Sequence, residues 1–308
     1  MAHLAEEEEV PHSLESDILV TEEPDVSIKD IVEECTDREI KTVVILVGML
    51  CLLLVYSSGC YLTDYMFFYM SLTAAMEAEA LPMVKSLNLV KDDPPVIASP
   101  APCISYSGSD WGMKVHLVCF GKCKDTGMDT VGTAPASLFT YLAIQAFSPD
   151  IVVSAGTAGG FKSKGASIAD IFVATATVNH DRRIPIPGFQ EYGVGKRLTL
   201  SAPAMRRELG LKAGVVSSGN SLDYTQEDMA LMEQHEAAVK EMEAAAVAWS
   251  ASFFKCPLIC LKSITDIVDG DKPAQDEFLE NLHKSADALQ AIIPKALQFM
   301  AGKKLSEL

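Results

Sequence analysis

Three carboxylates stand at the ends of apolar segments: Glu79 in AMEAEALP (75–82), Glu243 in EMEAAAVA (241–248) and Asp266 closing LICLKSITD (258–266). A buried, isolated carboxylate is costly, so each calls for a partner or a ligand. Helix capping, a first-turn position or the surface would explain any one of them. Taken together, three acids at element ends suit acid/base chemistry on a polar small molecule, one giving a proton and another taking one.

The elements that must position these acids follow from pattern. VHLVCF, DIVVSAGTAGG, IADIFVATATV and CPLICLKSITD read as short apolar strands, the second running into a glycine-rich turn. APASLFTYLAIQAF and DEFLENLHKSADALQAIIPKALQFM carry helical spacing. Strands alternating with helices predict an α/β fold, a three-layer αβα sandwich around a central mixed sheet. Ligands in such sheets bind beyond the carboxyl ends of strands, which nominates Thr157, Asp266 and whatever follows strand one. TQEDMALMEQHEAAVKEMEAAAVAWSASFF reads by periodicity as a single long helix opened by a Thr225 to Asp228 capping box.

Composition narrows the partners. A formal net charge of −17 over 308 residues repels a phosphate backbone and excludes nucleic acid. Residues 1–40 hold fourteen acidic side chains against two basic ones, the composition of a solvated arm. The eight cysteines form no C-x-x-C and have no histidine at ligand spacing, so reduced thiols, a reducing compartment and no metal are expected. No basic targeting peptide is visible, which with the thiols predicts a cytoplasmic location. AGTAGG lacks the G-x-G-x-x-G spacing and argues against NAD; no cofactor is expected. HDRRIPIP (180–187) sets charge beside stiff Ile and Pro, as a contact rim would.

AMEAEALP, VGTAPASL, AGTAGGFK, HDRRIPIP, YGVG, EMEAAAVA and TDIVDGD, in this order, resemble the plant-type 5′-methylthioadenosine nucleosidases of the nucleoside phosphorylase/hydrolase superfamily. The resemblance covers 75–308 and implies hydrolysis of the N-glycosidic bond of methylthioadenosine to adenine and 5-methylthioribose, a step of methionine and purine salvage. S-adenosylhomocysteine would be a second substrate where the 5′ substituent has room. By the same resemblance Asp266 protonates adenine N7, Glu79 activates the attacking water, and Glu243 and Met242 bind the ribose hydroxyls. Thr157 lines the ribose and water side, and backbone at 217–222, ending at Leu222, covers the adenine. The family also splits the long helix, making AAVKEM a strand between two helices, and implies a homodimer in which Phe189 reaches toward the neighbour's site. Where the family commonly has an acid this chain has Asn220, and Lys262 reads as structural support. Two alternatives stand beside hydrolysis: a phosphorylase using phosphate in place of water, and an inert storage-type relative.

VVILVGMLCLLLVYSSGCYL (43–62) is uncharged and long enough to cross a bilayer. IKTVVIL (40–46) resembles the start of the family's first strand, yet about thirty residues separate it from AMEAEALP. The run admits three accounts. One is a membrane helix, which the positive-inside rule would orient with the enzyme outside the cytosol. The second is translated intron, opening at a valine whose codons begin with GU. The third is a genuine insertion with YMFFYMSL (65–72) as strand one. The resulting division is an acidic tail over 1–40, an apolar insertion over 43–73 and a nucleosidase domain over 74–308.

Overall fold

A computed structural model of the chain describes residues 39–47, 80–97 and 100–308. The first strand, β1 (Thr42–Val47), is a β-branched apolar run buried along nearly its whole length. It lies between two parallel neighbours, β4 (Met113–Cys119) and β5 (Ile151–Gly160), so both its faces meet hydrophobic core. The Asp150 carboxylate fixes its start, accepting from the backbone N–H of Lys41 and Thr42 at 2.9 and 2.8 Å. IKTVVIL is therefore strand one of the described sheet. The expectation that YMFFYMSL takes that place is corrected: the central slot is already filled, and 65–72 falls outside the described residues.

Beyond β4 the sheet continues through β3 (Ile104–Asp110) to β2 (Val90–Lys91), both antiparallel. On the other side it does not stay open. β5 pairs with both β9 (Ala237–Glu241) and β10 (Leu258–Ile267), β9 with β8 (Lys212–Ser218), β8 with β6 (Ile171–Asn179), and β6 with β10. The five strands β5, β9, β8, β6 and β10 thus close on themselves, with β7 (Arg197–Leu198) attached to β6. The mixed α/β sheet was expected; the closed barrel was not.

Helices pack on the sheet through two cores. Val43, Ile45 and Val47 join Leu289, Ile293 and Leu297 of α6 (Ala274–Met300), Met205 of α3 (Pro203–Leu209) and Met83 and Leu87 around the helical residues 80–86. Val44 and Leu46 join Phe139 and Ala143 of α1 (Thr133–Phe147) and Val247 and Ala251 of α5 (Ala244–Phe253). α2 (Phe189–Val194) follows the HDRRIPIP loop. α4 (Gln226–Gln234) opens with the expected capping box, Thr225 and Asp228 exchanging side-chain to backbone bonds. The segment read by period as one long helix is α4, β9 and α5, as the resemblance implied. No helix among the described residues is long and apolar enough to cross a membrane; 48–62, most of the uncharged run, lies outside them.

Candidate active site

Walking around the barrel wall from Asp266 on β10, the register passes Gly159 on β5, Lys240 on β9 and Ser217 on β8. These four positions share one level of the barrel. Thr157, two residues before Gly159 on β5, is buried and pairs with Ser263 of β10. Gly159 and Gly160 belong to the strand rather than to a turn, a correction to the reading of AGTAGG. Their missing side chains explain why: a Cβ on Gly159 would lie 2.7 Å from Asp266 Oδ2, and one on Gly160 2.6 Å from the Ala166 Cβ. The glycines make room for the acid and the loop packed against them.

Asp266 is 4% exposed. Burial pushes its carboxyl up to about 6; the Thr265 hydroxyl and the Lys240 ammonium pull the other way, and Glu277 adds a further upward push. The Thr265 Oγ1 lies 2.7 Å from Asp266 Oδ1 and 3.0 Å from the Ala158 carbonyl, and it donates to either. Its single hydrogen turns to Asp266 when that carboxyl is ionised and to Ala158 when it is protonated. The hydroxyl therefore accommodates both protonation states of the carboxyl.

Glu243 sits at the start of α5, 4% exposed, with Oε1 accepting from the Gly132 N–H at 3.1 Å. Burial and the neighbouring Glu241 raise its carboxyl to about 8, against Lys262 and Gly132. Glu241 is held differently. Burial opposes its charge, but Lys262 Nζ at 2.9 Å, the Ser218 hydroxyl and the N–H groups of Glu243 and Ala244 keep it ionised and below the usual carboxylate range. Its backbone carbonyl accepts from Gly219, so β9, β8 and α5 meet at one residue.

The loop after β8 covers this cluster. Lys240 Nζ donates to the carbonyls of Ser221 and Leu222 at 3.1 and 2.8 Å. Leu222, Met242, Val131, Phe278 and Leu282 form a small apolar cluster suited to a flat heterocycle. Asn220 Oδ1 accepts from the Thr133 N–H and hydroxyl, both at 2.9 Å, while its own N and Nδ2 donate to Asp181 Oδ2. An amide can do both; an acid here would face the Asp181 carboxylate with no hydrogen to give.

Of the residues expected from sequence, Asp266 and Thr157 lie on neighbouring strands of the barrel, Leu222 is tied to it by Lys240, and Met242, beside Glu243, packs on Leu222. Glu79 lies outside the described residues. Lys262, read as support, is the partner of Glu241. Sequence reasoning missed Lys240, Glu241 and Phe278. The signal for Glu241 was its place two residues before Glu243 at a strand end; Lys240 gave none, since charge within a strand reads as a solvated face.

A separate cavity of about 1510 Å³ holds none of these acids and lies beside the HDRRIPIP loop, lined among others by Arg182, Tyr192, Arg197, Leu231 and Phe253.

The family described as the phosphorylase superfamily matches residues 70–298. A 5′-methylthioadenosine nucleosidase of Arabidopsis thaliana is 46% identical over 76% of the chain and 88% of its own length. A 5′-methylthioadenosine/S-adenosylhomocysteine nucleosidase of the same plant is 44% identical over 76% and 92%. The solved apo structure of an Arabidopsis thaliana 5′-methylthioadenosine nucleosidase superposes with a TM-score of 0.77 at 41% identity, covering 88% of this chain and all of that one.

Proposed function

Because the chain belongs to the phosphorylase superfamily, in the branch of the Arabidopsis methylthioadenosine nucleosidases, we propose that it hydrolyses 5′-methylthioadenosine to adenine and 5-methylthioribose. The observation that carries the reading is a pair of buried proton-holding carboxyls, Asp266 and Glu243, joined through Lys240 and Glu241 to one loop, 217–222.

In this mechanism the C–N bond stretches, its electron pair moves onto the purine and the sugar becomes oxocarbenium-like. Asp266 gives its proton to adenine N7. Water adds to C1′, and Glu79 takes the proton that the water loses. Glu243 accepts hydrogen bonds from the ribose hydroxyls, a contact that tightens as positive charge builds on the ring. Thr157 lines the ribose side; Leu222 and Met242, with Phe278, hold the adenine. The ring protonates as the bond breaks, so no cofactor or metal enters the scheme.

The test is release of free adenine from methylthioadenosine and from S-adenosylhomocysteine, with and without inorganic phosphate. Hydrolysis predicts 5-methylthioribose in both buffers. A sugar phosphate would favour the phosphorylase reading, and no release with intact Asp266 would favour a storage-type relative.

The reading extends to assembly and place. Ile186, Phe189, Tyr192, Leu198 and Phe253 are all more than half exposed around the Arg182 cavity, an apolar face suited to a second copy. A homodimer through this face predicts that Phe253→Asp yields monomer in light scattering. Cys103, Cys119, Cys123, Cys256 and Cys260 form no disulfide among the described residues, which suits the reducing cytoplasm, where methionine salvage would use the enzyme.

A further inference from the structure

The end of β10 is irregular. Its register against β5 shifts between Ile264 and Asp266, leaving Thr265 as an extra residue in the ladder. Such bulges re-aim the side chains that follow them and leave backbone groups unpaired. Here α6 takes or shares them; the Ile264 carbonyl also accepts from the Ala169 N–H at 2.8 Å. Ser285 Oγ donates to the Ile264 carbonyl at 2.6 Å, Asn281 Nδ2 donates to the Thr265 carbonyl at 3.1 Å, and Glu277 Oε2 accepts from the Ile267 N–H at 2.7 Å. The three side chains are four residues apart, one face of the helix. Asn281 uses its second hydrogen on the Glu277 carbonyl, which fixes the amide's orientation.

We propose that Glu277, Asn281 and Ser285 are positioning residues that hold the β10 bulge open and thereby aim Asp266 at the purine. The proposal rests on Asp266 being the purine acid. Glu277 has a second effect, because its negative charge faces Asp266 from α6 while Lys240 faces it from β9; β5 brings only Gly159.

The experiment compares Asn281→Leu, Ser285→Ala, Glu277→Gln and Asp266→Asn in the full chain, using pH profiles of kcat and kcat/KM. Asn281→Leu strands the Thr265 carbonyl and is expected to lower kcat about 10- to 100-fold with KM within about twofold, since small misplacements of a reacting group cost this much. Ser285→Ala lowers kcat less, about threefold to tenfold. Glu277→Gln still accepts from Ile267 but loses its charge, so the alkaline limb of kcat/KM moves to lower pH. Wild-type kcat in Asn281→Leu and Ser285→Ala, or an unmoved limb in Glu277→Gln, overturns the proposal. If Asn281→Leu does not fold, the other two variants decide. Asp266→Asn separates the premises: full activity there removes the acid itself, whereas a dead Asp266→Asn beside unaffected helix variants removes only the α6 inference.

Discussion

Asp266 and Glu243 are both buried carboxyls that hold a proton above the ordinary range, yet their surroundings differ. Among the described residues, no cation forms an ion pair with Asp266. Its proton is held by burial, against the pull of Lys240 on β9, one strand beyond β5, and beside a hydroxyl that reverses to suit either state. Glu243 stands next to a second acid, Glu241, already neutralised by Lys262 in a buried pair. The first arrangement suits a group that must release its proton during a reaction. The second suits a group that ionises when ligand hydroxyls approach. Proton affinity alone does not separate the roles; what surrounds the carboxyl does.

The strongest way to break this contrast is at Asp266. Asp266→Asn is expected to reduce kcat about 10²- to 10⁴-fold, the usual contribution of a general acid. In the wild type, kcat/KM should fall as pH rises through about 6, where Asp266 loses its proton in the free enzyme. A flat profile between pH 5 and 7.5 would remove the proton-donor role.

Glu241→Gln is next. It keeps the shape but leaves Lys262, 2% exposed, without its ionised partner, and should cost about 3 kcal/mol in denaturant unfolding. It should also lower the Glu243 proton affinity below about 8, because the neighbouring negative charge is gone, which shifts the pH dependence of KM downward. An unchanged KM profile would mean that Glu241 does not act on Glu243.

An effect of comparable upper size has the opposite sign. Asp266 binds its proton more tightly folded, at about 6, than its unfolded value of 3.8. Its contribution to stability is therefore full below about pH 4 and is lost as pH rises through 6, where the buried charge costs up to about 3 kcal/mol. Asp266→Asn removes that penalty, so its melting temperature should exceed the wild type's at pH 8 and match it at pH 4. Equal melting temperatures at both would place the carboxylate in a better-solvated setting than its burial indicates. The smallest change is expected of Asn220→Asp, which sets two carboxylates against each other at the α1 start. It should raise KM severalfold, for about 1 kcal/mol, with kcat little altered.

Much of this was legible in sequence because the strands are apolar runs and α6 has strong helical periodicity. The motif resemblance named Thr157, Leu222, Met242, Glu243 and Asp266. What could not be read is pairing. Barrel closure depends on β9 meeting β5 through Gly159 and Lys240, and no period in either strand encodes a partner. The β10 bulge is likewise invisible, since ICLKSITD alternates no differently with or without an extra residue. Lys240 and Glu241 look like a solvated edge in the text and are buried only because β8 and the 217–222 loop lie over them. Strand one is set at Thr42 by Asp150 and the parallel ladders, contacts that an apolar run in the text does not announce.

The position of β1 bears on how the gene product could be trimmed. Its described ladders with β4 and β5 run without a break from Val43 to Val47. A version spliced from Val47 to Ala74 would keep the middle of the sheet intact and bring the A-M-E-A-E-A motif directly behind its strand. Such a shortened protein should be recovered in higher yield than the full-length chain while still liberating adenine.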